Sequence, residues 1–462
     1  MPKTPPPITT RFAEFAAGLD PACLPPEAVA RAKLAVLDTL GIALASTSYD
    51  FAHRTASGVA ALGGPGDSPV IGLGLKLPLR DAVLLNATLA HGLDFDDTHT
   101  ASTSHCSASA VPLVLGMSLA TRASGARAIA AYLLAVEVTA RIGAAARGTL
   151  QKRGWHPTGI VGTFGCAAAA SYLLDLPPAQ FAHALGVAWS VTSGNFEFVA
   201  DGAWTKRMHP GWAGVGGITA AHLAKGGFVG PGRPLEGRFG LFNLLLGADF
   251  PVDPEAVTAK LGAPFEVMNI AMKPYPACHF IHAFVDCALA LRERHGLTAS
   301  SIAGIKALIH PDPVNVVCEP EAAKRRPGNA YEAQFSIHYV IAASLVRGRF
   351  GLGELDAAAL ADHEILELAA RVGYGHDPDS AFPAAYSGAL EVTLHDGRVL
   401  KHREQINRGA ADNPLSDAEV HAKFFDNATR AVSRARAGRI LALVETLDTA
   451  PDLTALGAAL AG

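Results

Sequence analysis

Charge is what this chain of 462 residues has least of: Asp, Glu, Lys and Arg together make up 17%, where an average globular protein has about a quarter. Basic residues form no run, and the formal net charge is −4. A nucleic-acid partner is excluded on that ground, because no positive stripe or RNA-type aromatic motif is present to meet phosphate. The six cysteines (Cys23, Cys106, Cys166, Cys278, Cys287, Cys318) include no Cys-x-x-Cys pair. That excludes a disulfide framework and a cysteine zinc site, and predicts reduced thiols in a cytoplasmic protein. The opening Met1–Pro7 has no apolar core, so no signal peptide is expected. The most apolar run, 160–174, falls short of the roughly 18 residues a membrane span needs. No P-loop, dinucleotide-binding fingerprint or nucleophile elbow occurs, and Gly230, Gly232 and Gly237 lack the preceding strand that would give them that meaning.

What is abundant is small and apolar. Half the residues are hydrophobic and 46 are glycine, a composition suited to closely packed helices. The length allows two or three domains. Thr9 or Thr10 is predicted to cap a first helix, and Pro25-Pro26-Glu27 opens a longer one. Helical periodicity then continues over 81–89, 111–120, 126–147, 161–174 and 178–190, with no alternating strand pattern before about residue 265. After Pro264 the texture changes. A helix is predicted over 278–295, a strand over 302–310 and a helix over 331–347. Next comes a hairpin of 389–395 and 398–403, whose Asp396-Gly397 supplies positive φ angles. Ser416 and Glu419 form a capping box where helices resume. The fold class predicted is therefore mainly α: a large all-helical domain (1–265), an inserted α/β lid domain (266–403), and C-terminal helices (404–462) rejoining the first domain.

Against so little charge, the run Ala90-His-Gly-Leu-Asp-Phe-Asp-Asp-Thr-His99, with His105 beyond it, stands out. Acidic groups at the end of a buried helix cost several kcal/mol each unless something holds them. Helix capping by Asp96, Asp97 and Thr98 is the plain alternative. Three other stretches could join this one. Arg153-Gly-Trp-His-Pro-Thr158 sets a histidine at a helix start, or simply packs it there. Lys206, Arg207 and His209 lie within four residues of each other, as a site or as a solvated turn. Lys273-Pro-Tyr-Pro-Ala-Cys278, with His282 further on, is an extended strap or an interdomain linker. Together they offer cations for carboxylates and histidines for proton exchange near neutral pH. A metal site built from His91, Asp94, Asp97, His99 and His105 has no ligand spacing behind it, and none is predicted.

These stretches resemble the MmgE/PrpD family, which includes 2-methylcitrate dehydratase, cis-aconitate decarboxylase and iminodisuccinate epimerase. The likeness rests on 90–98, 154–158, 205–209, 273–278 with His282 and Asp286, and 332–336, in order along nearly the whole chain. It implies a helical domain plus lid, a homodimer, a site between the two domains, and neither a cofactor nor an obligatory metal. Carried over by position, it makes His105, His156, Asp94 and Thr98 catalytic. His105 and His156 would be the acid–base pair, Asp94 would orient a histidine, and Thr98 would bond the substrate. Lys206 and Lys273 would bind substrate carboxylates, with Tyr339 beside them. His105 precedes Cys-Ser here, where the family commonly has Pro-Ser. Cys278 stands where the decarboxylase has histidine and the epimerase-like members have cysteine. The expected reaction is thus dehydration of a small hydroxy-polycarboxylate by proton abstraction next to a carboxylate. Epimerisation of a dicarboxylate is the first alternative; decarboxylation and a non-catalytic binding protein of this fold follow.

Overall fold

The computed structural model describes residues 6–462, and the start of the proline-rich lead, residues 1–5, lies outside them. The described chain is mainly helical and forms two compact units: the residues up to Met272 together with Ser416–Gly462, and Lys273–Leu415.

The first unit is a stack of helices. Its centre is Thr205–Lys225, packed against Pro157–Leu173 and Leu79–His91. Small residues set how close those axes come. A Cβ on Gly211 would lie 2.4 Å from the Leu84 carbonyl oxygen, and one on Gly217 would lie 2.5 Å from Cys166 Cβ. Each buried alanine contributes less than the roughly 1.5–3 kcal/mol of a buried leucine or phenylalanine, so the core is built from many close crossings. Phe12, Phe164, Leu185 and Leu235 anchor one cluster of it, all essentially inaccessible. One helix, Gly125–Ala145, is long and apolar enough to cross a membrane by length and composition, but most of it is buried within the unit. It reads as a core helix.

The first helix runs Ile8–Ala17 and begins after Pro7 without a side-chain cap. Thr9 and Thr10 therefore lie inside it rather than capping it. Thr9 instead donates its hydroxyl to the Gly232 carbonyl, 3.0 Å away, a tertiary bond that local sequence does not announce. Two short antiparallel pairs also occur, Ser68–Pro69 with Lys76–Leu77 and Thr98–His99 with Ile270–Ala271. Each strand is two residues long, too short to leave an alternating pattern.

The second unit holds a four-stranded sheet in the spatial order Val372–His376, Ile302–Ile309, Gly388–Leu394, Val399–Glu404. The first pair is parallel and the others antiparallel. Its two longest helices are His282–His295 and Ile337–Arg347. The predicted helix over 331–347 is broken here: Ser336 accepts the Tyr339 N–H and starts Ile337–Arg347 afresh. The hairpin is present, but only Gly397 has positive φ, at +87°. Its loop is thus the three-residue kind with glycine in the left-handed position, rather than a two-residue turn with both central angles positive. The capping box at Ser416 and Glu419 is formed.

Candidate active site

The acidic turn is built by the ends of two helices. Leu79–His91 stops at Gly92, and Cys106–Thr121 begins after His105. Between them Asp94 has φ +51°, a conformation that a short polar side chain tolerates better than most. Thr98 and His99 pair with Ala271 and Ile270. That partner segment is itself pinned, because buried Glu137 accepts the backbone N–H groups of Gly262 (3.0 Å) and Glu266 (2.8 Å). Lys423, from the C-terminal helix Asp417–Ala428, reaches in from the other side. Its ammonium lies 2.7 Å from Asp38 Oδ1, donates to the Phe95 carbonyl at 3.0 Å, and sits 3.9 Å from the Phe95 ring centre.

Each of the three carboxylates has a different keeper. Asp94 Oδ1 lies 2.6 Å from Lys206 Nζ. Asp96 Oδ2 accepts from His91 Nδ1 at 2.7 Å and has His105 Nδ1 at 3.3 Å. Burial alone would raise Asp96, but the two imidazoles outweigh it and hold the carboxyl well below its ordinary range. Asp97 accepts the backbone N–H of Ser107 (3.2 Å) and its hydroxyl, and that hydroxyl also bonds Tyr132 at 2.6 Å. Burial dominates here: with Asp96 adding repulsion and the Ser107 bonds opposing, Asp97 is pushed up to about 6. Two adjacent carboxyls thus differ sharply in acidity, as expected when neighbours differ in charge partners.

Four histidines gather beside this turn. The rings of His91 and His105 are 4.7 Å apart, and those of His91 and His156 are 5.7 Å apart and nearly parallel. His156 opens the helix Pro157–Leu173, its backbone N–H donating to Gly194. Its Nδ1 faces His209 Nδ1 at 2.9 Å. His105 Nδ1 donates to the Asp97 carbonyl at 2.7 Å. Burial lowers His91 and His209 to about 4 and drives His156 well below its ordinary value; Lys206 pushes all three the same way, while Asp96 opposes the shift at His91. All three are therefore neutral at pH 7. The side chains of His105 and Lys206 remain 12% exposed, whereas that of His91 is fully enclosed. Among the described residues, His91 Nε2, Asp96 Oδ1 and Thr98 Oγ1 are buried without a hydrogen-bond partner. Orphaned polar atoms are rare in folded proteins and signal a missing ligand or water.

Of the residues read from the sequence, Asp94, Thr98 and His105 share the turn. Lys206 meets it through Asp94, and His156 through its ring contacts with His91 and His105. His91, Asp96 and His209 were not assigned roles. A signal for His209 was available: it lies three residues after Lys206 on one helix, so both share a face. The five-residue metal set does not converge. His99 is occupied by Ser102 and Glu266, Asp97 by Ser107, and Asp94 by Lys206. What does converge is His91, His105 and His156, with one ring nitrogen from each within 4.8 Å of the others.

Lys273 and Tyr339 belong to the second unit. Lys273 is 2% exposed and begins the strap. Cys278 N–H donates to the Gln334 carbonyl at 2.8 Å, and Gln334 Nε2 returns a bond to the Pro276 carbonyl at 3.1 Å. Asn407 Nδ2 donates to His279 Nε2 at 2.9 Å, and Tyr275 OH donates to Asp286 at 2.6 Å. Tyr339 is buried in the helix Ile337–Arg347, its hydroxyl donating to the Glu354 carbonyl at 2.7 Å.

The turn and its histidines bring groups capable of proton exchange together with a lysine within the helical unit. Comparison with known proteins takes this further. The MmgE/PrpD N-terminal domain matches residues 10–253 and the MmgE/PrpD C-terminal domain matches 275–449, and the chain belongs to this family. It is 28% identical to cis-aconitate decarboxylase of Mus musculus over 470 residues, covering 98% of this chain and 93% of that one. The Homo sapiens cis-aconitate decarboxylase is also 28% identical, over 98% of this chain and 95% of its own. A cis-aconitate decarboxylase-like protein of Aspergillus oryzae is 25% identical, over 98% and 97%.

Proposed function

We propose that this protein is a lyase of the MmgE/PrpD family that removes a proton from carbon next to a carboxylate of a small di- or tricarboxylate, with dehydration of a hydroxy acid as the net reaction. The observation that carries this is the convergence of His91, His105 and His156, set beside the Lys206–Asp94 pair. His105 is the accessible base, with its Nδ1 proton committed to a carbonyl and its Nε2 lone pair available. Lys206 is a cation for a substrate carboxylate, and the likeness to the family gives Lys273 the same role. Such charges stabilise the enolate-like state that follows loss of the proton. Thr98, whose hydroxyl has no protein partner, supplies a further bond.

Decarboxylation is the second reading, favoured by the names of the relatives above. Cys278, at the position where the family's decarboxylases carry histidine, weighs against it. Deuterium incorporation separates the cases. The protein is incubated in D₂O with 2-methylcitrate, citrate, malate, cis-aconitate and an iminodiacid, and products are followed by NMR. One compound exchanges or loses water, and His105→Ala slows this by about 10²–10⁴-fold. A product short of one carboxylate would move the assignment to decarboxylase. No exchange with any of them would point to a binding protein.

A further inference from the structure

The histidine cluster has a polarity that follows from which atoms can donate. A carbonyl oxygen only accepts, so His105 Nδ1 carries a proton toward Asp97. An ionised carboxylate likewise only accepts, so His91 Nδ1 carries a proton toward Asp96, and with that ring neutral its Nε2 is bare, buried and without a partner. The Nδ1–Nδ1 contact between His156 and His209 must hold one proton, on one side or the other. If His156 held it, its Nε2 would be a further bare nitrogen in a buried cluster where one ring nitrogen each of His91, His105 and His156 lies within 4.8 Å of the others. If His209 holds it, His156 has an Nε2–H to offer in a place short of donors.

We propose that His209 and His91 are positioning residues that fix opposite tautomers around one spot, and that this spot receives an oxygen able both to donate and to accept: the hydroxyl that leaves the substrate. His209 donates to His156 and keeps it a donor at Nε2. Asp96 accepts from His91 and keeps it an acceptor at Nε2. A hydroxyl between them accepts from His156 and donates to His91, so its lone pairs and its proton are all met. This deepens, and rests on, the dehydration reading of the same site. In the reaction the carbon-bound proton passes to His105. The C–O bond then breaks with its electron pair on oxygen, and that oxygen takes the proton back from the His105 imidazolium and departs as water, held meanwhile by the His156 Nε2–H hydrogen bond.

The tautomers can be read without any turnover. Protein labelled with ¹⁵N-histidine, examined at neutral pH by long-range ¹H–¹⁵N correlation and assigned with single substitutions, should show His156 protonated at Nε2 and His91 at Nδ1. His209→Asp offers only an acceptor, so it should shift the His156 proton to Nδ1 and lower the rate of water loss by about 10²–10³-fold. His209→Asn, whose amide can still donate at the Nδ1 position, should restore both. A His156 protonated at Nδ1 in the unaltered protein would overturn the proposal. So would equal rates for the Asp and Asn variants. The predicted tautomers together with a silent substrate panel would sink the dehydration reading while leaving the tautomer assignment standing.

Discussion

The acidic turn and the proline strap are both buried, both polar and both picked out by the sequence, yet they are held in different ways. In the turn, Asp94 meets an ammonium, Asp96 two imidazoles and Asp97 a serine hydroxyl, and the carboxyl acidities spread apart accordingly. In the strap, carbonyl groups of the backbone take a share of the bonding: Cys278 N–H to Gln334, Gln334 to the Pro276 carbonyl, and His282 Nε2 to the Ala277 carbonyl at 3.1 Å. Prolines at 274 and 276 restrict it further. The difference teaches where proton chemistry can reside. A region of mixed ion partners has tunable acidities, and one restricted by prolines and tied through backbone carbonyls is suited to hold a shape.

Removing the charge from the turn should break that comparison most severely. Asp96→Asn keeps the shape but frees the His91 tautomer, and loss of the orienting carboxylate in a comparable dyad costs about 10⁴-fold. C–H exchange should fall by about three orders of magnitude or more while circular dichroism stays unchanged; a variant of near-normal rate would deny Asp96 its role. Lys206→Ala and Lys273→Ala test the cations on either side of the comparison. Each should lower kcat/KM for a polycarboxylate by about ten- to a hundredfold, the equivalent of 1.5–3 kcal/mol for a charge-assisted bond. If neither changes it, the assignment of these lysines to substrate carboxylates is wrong.

Asp97→Asn sharpens the contrast through stability. The carboxyl of Asp97 is raised in the folded state to about 6, so folding favours its protonated form. That stabilisation is complete below its ordinary value near 4 and is lost as pH rises through about 6. The melting temperature of the unaltered protein should therefore fall relative to Asp97→Asn between pH 4 and 7. Parallel curves across that range would contradict the assignment. The smallest effect is expected in the strap. Cys278 is held through its backbone N–H by the Gln334 carbonyl, so Cys278→Ser should retain most turnover; a covalent adduct trapped on its sulfur would overturn that expectation.

The turn was legible because charge is so scarce in this sequence that three aspartates and two histidines within a few residues demand partners. Which aspartate does what was not legible. Asp96 and Asp97 are neighbours of one residue type, and their roles diverge only through His91 and Ser107 brought in by folding. His209 was hidden among basic residues that read equally well as a solvated turn. In the second unit, the hairpin at Asp396-Gly397 was visible from its turn residues, whereas Val372–His376 was not. Its two glycines erase the alternation, and it is held as a strand by parallel pairing to Ile302–Ile309. The break at Ser336 lay within continuous helical periodicity and shows only in its cap.

The reach of Lys423 to Asp38 carries a consequence for how the molecule is made. The two residues are 385 positions apart, and the helical unit is assembled from the first and last parts of the chain. A ribosome releases the acidic turn long before it releases the lysine that braces Phe95. Until then Asp38 is a carboxylate with no ammonium to bury it, and burying it unpaired would cost several kcal/mol. The Asp38–Lys423 pair cannot close until the whole intervening unit has been synthesised. Closing so long a loop adds only slowly to the entropic cost but delays the contact itself. The brace behind the acidic turn is in place only once the helix Asp417–Ala428 has been made.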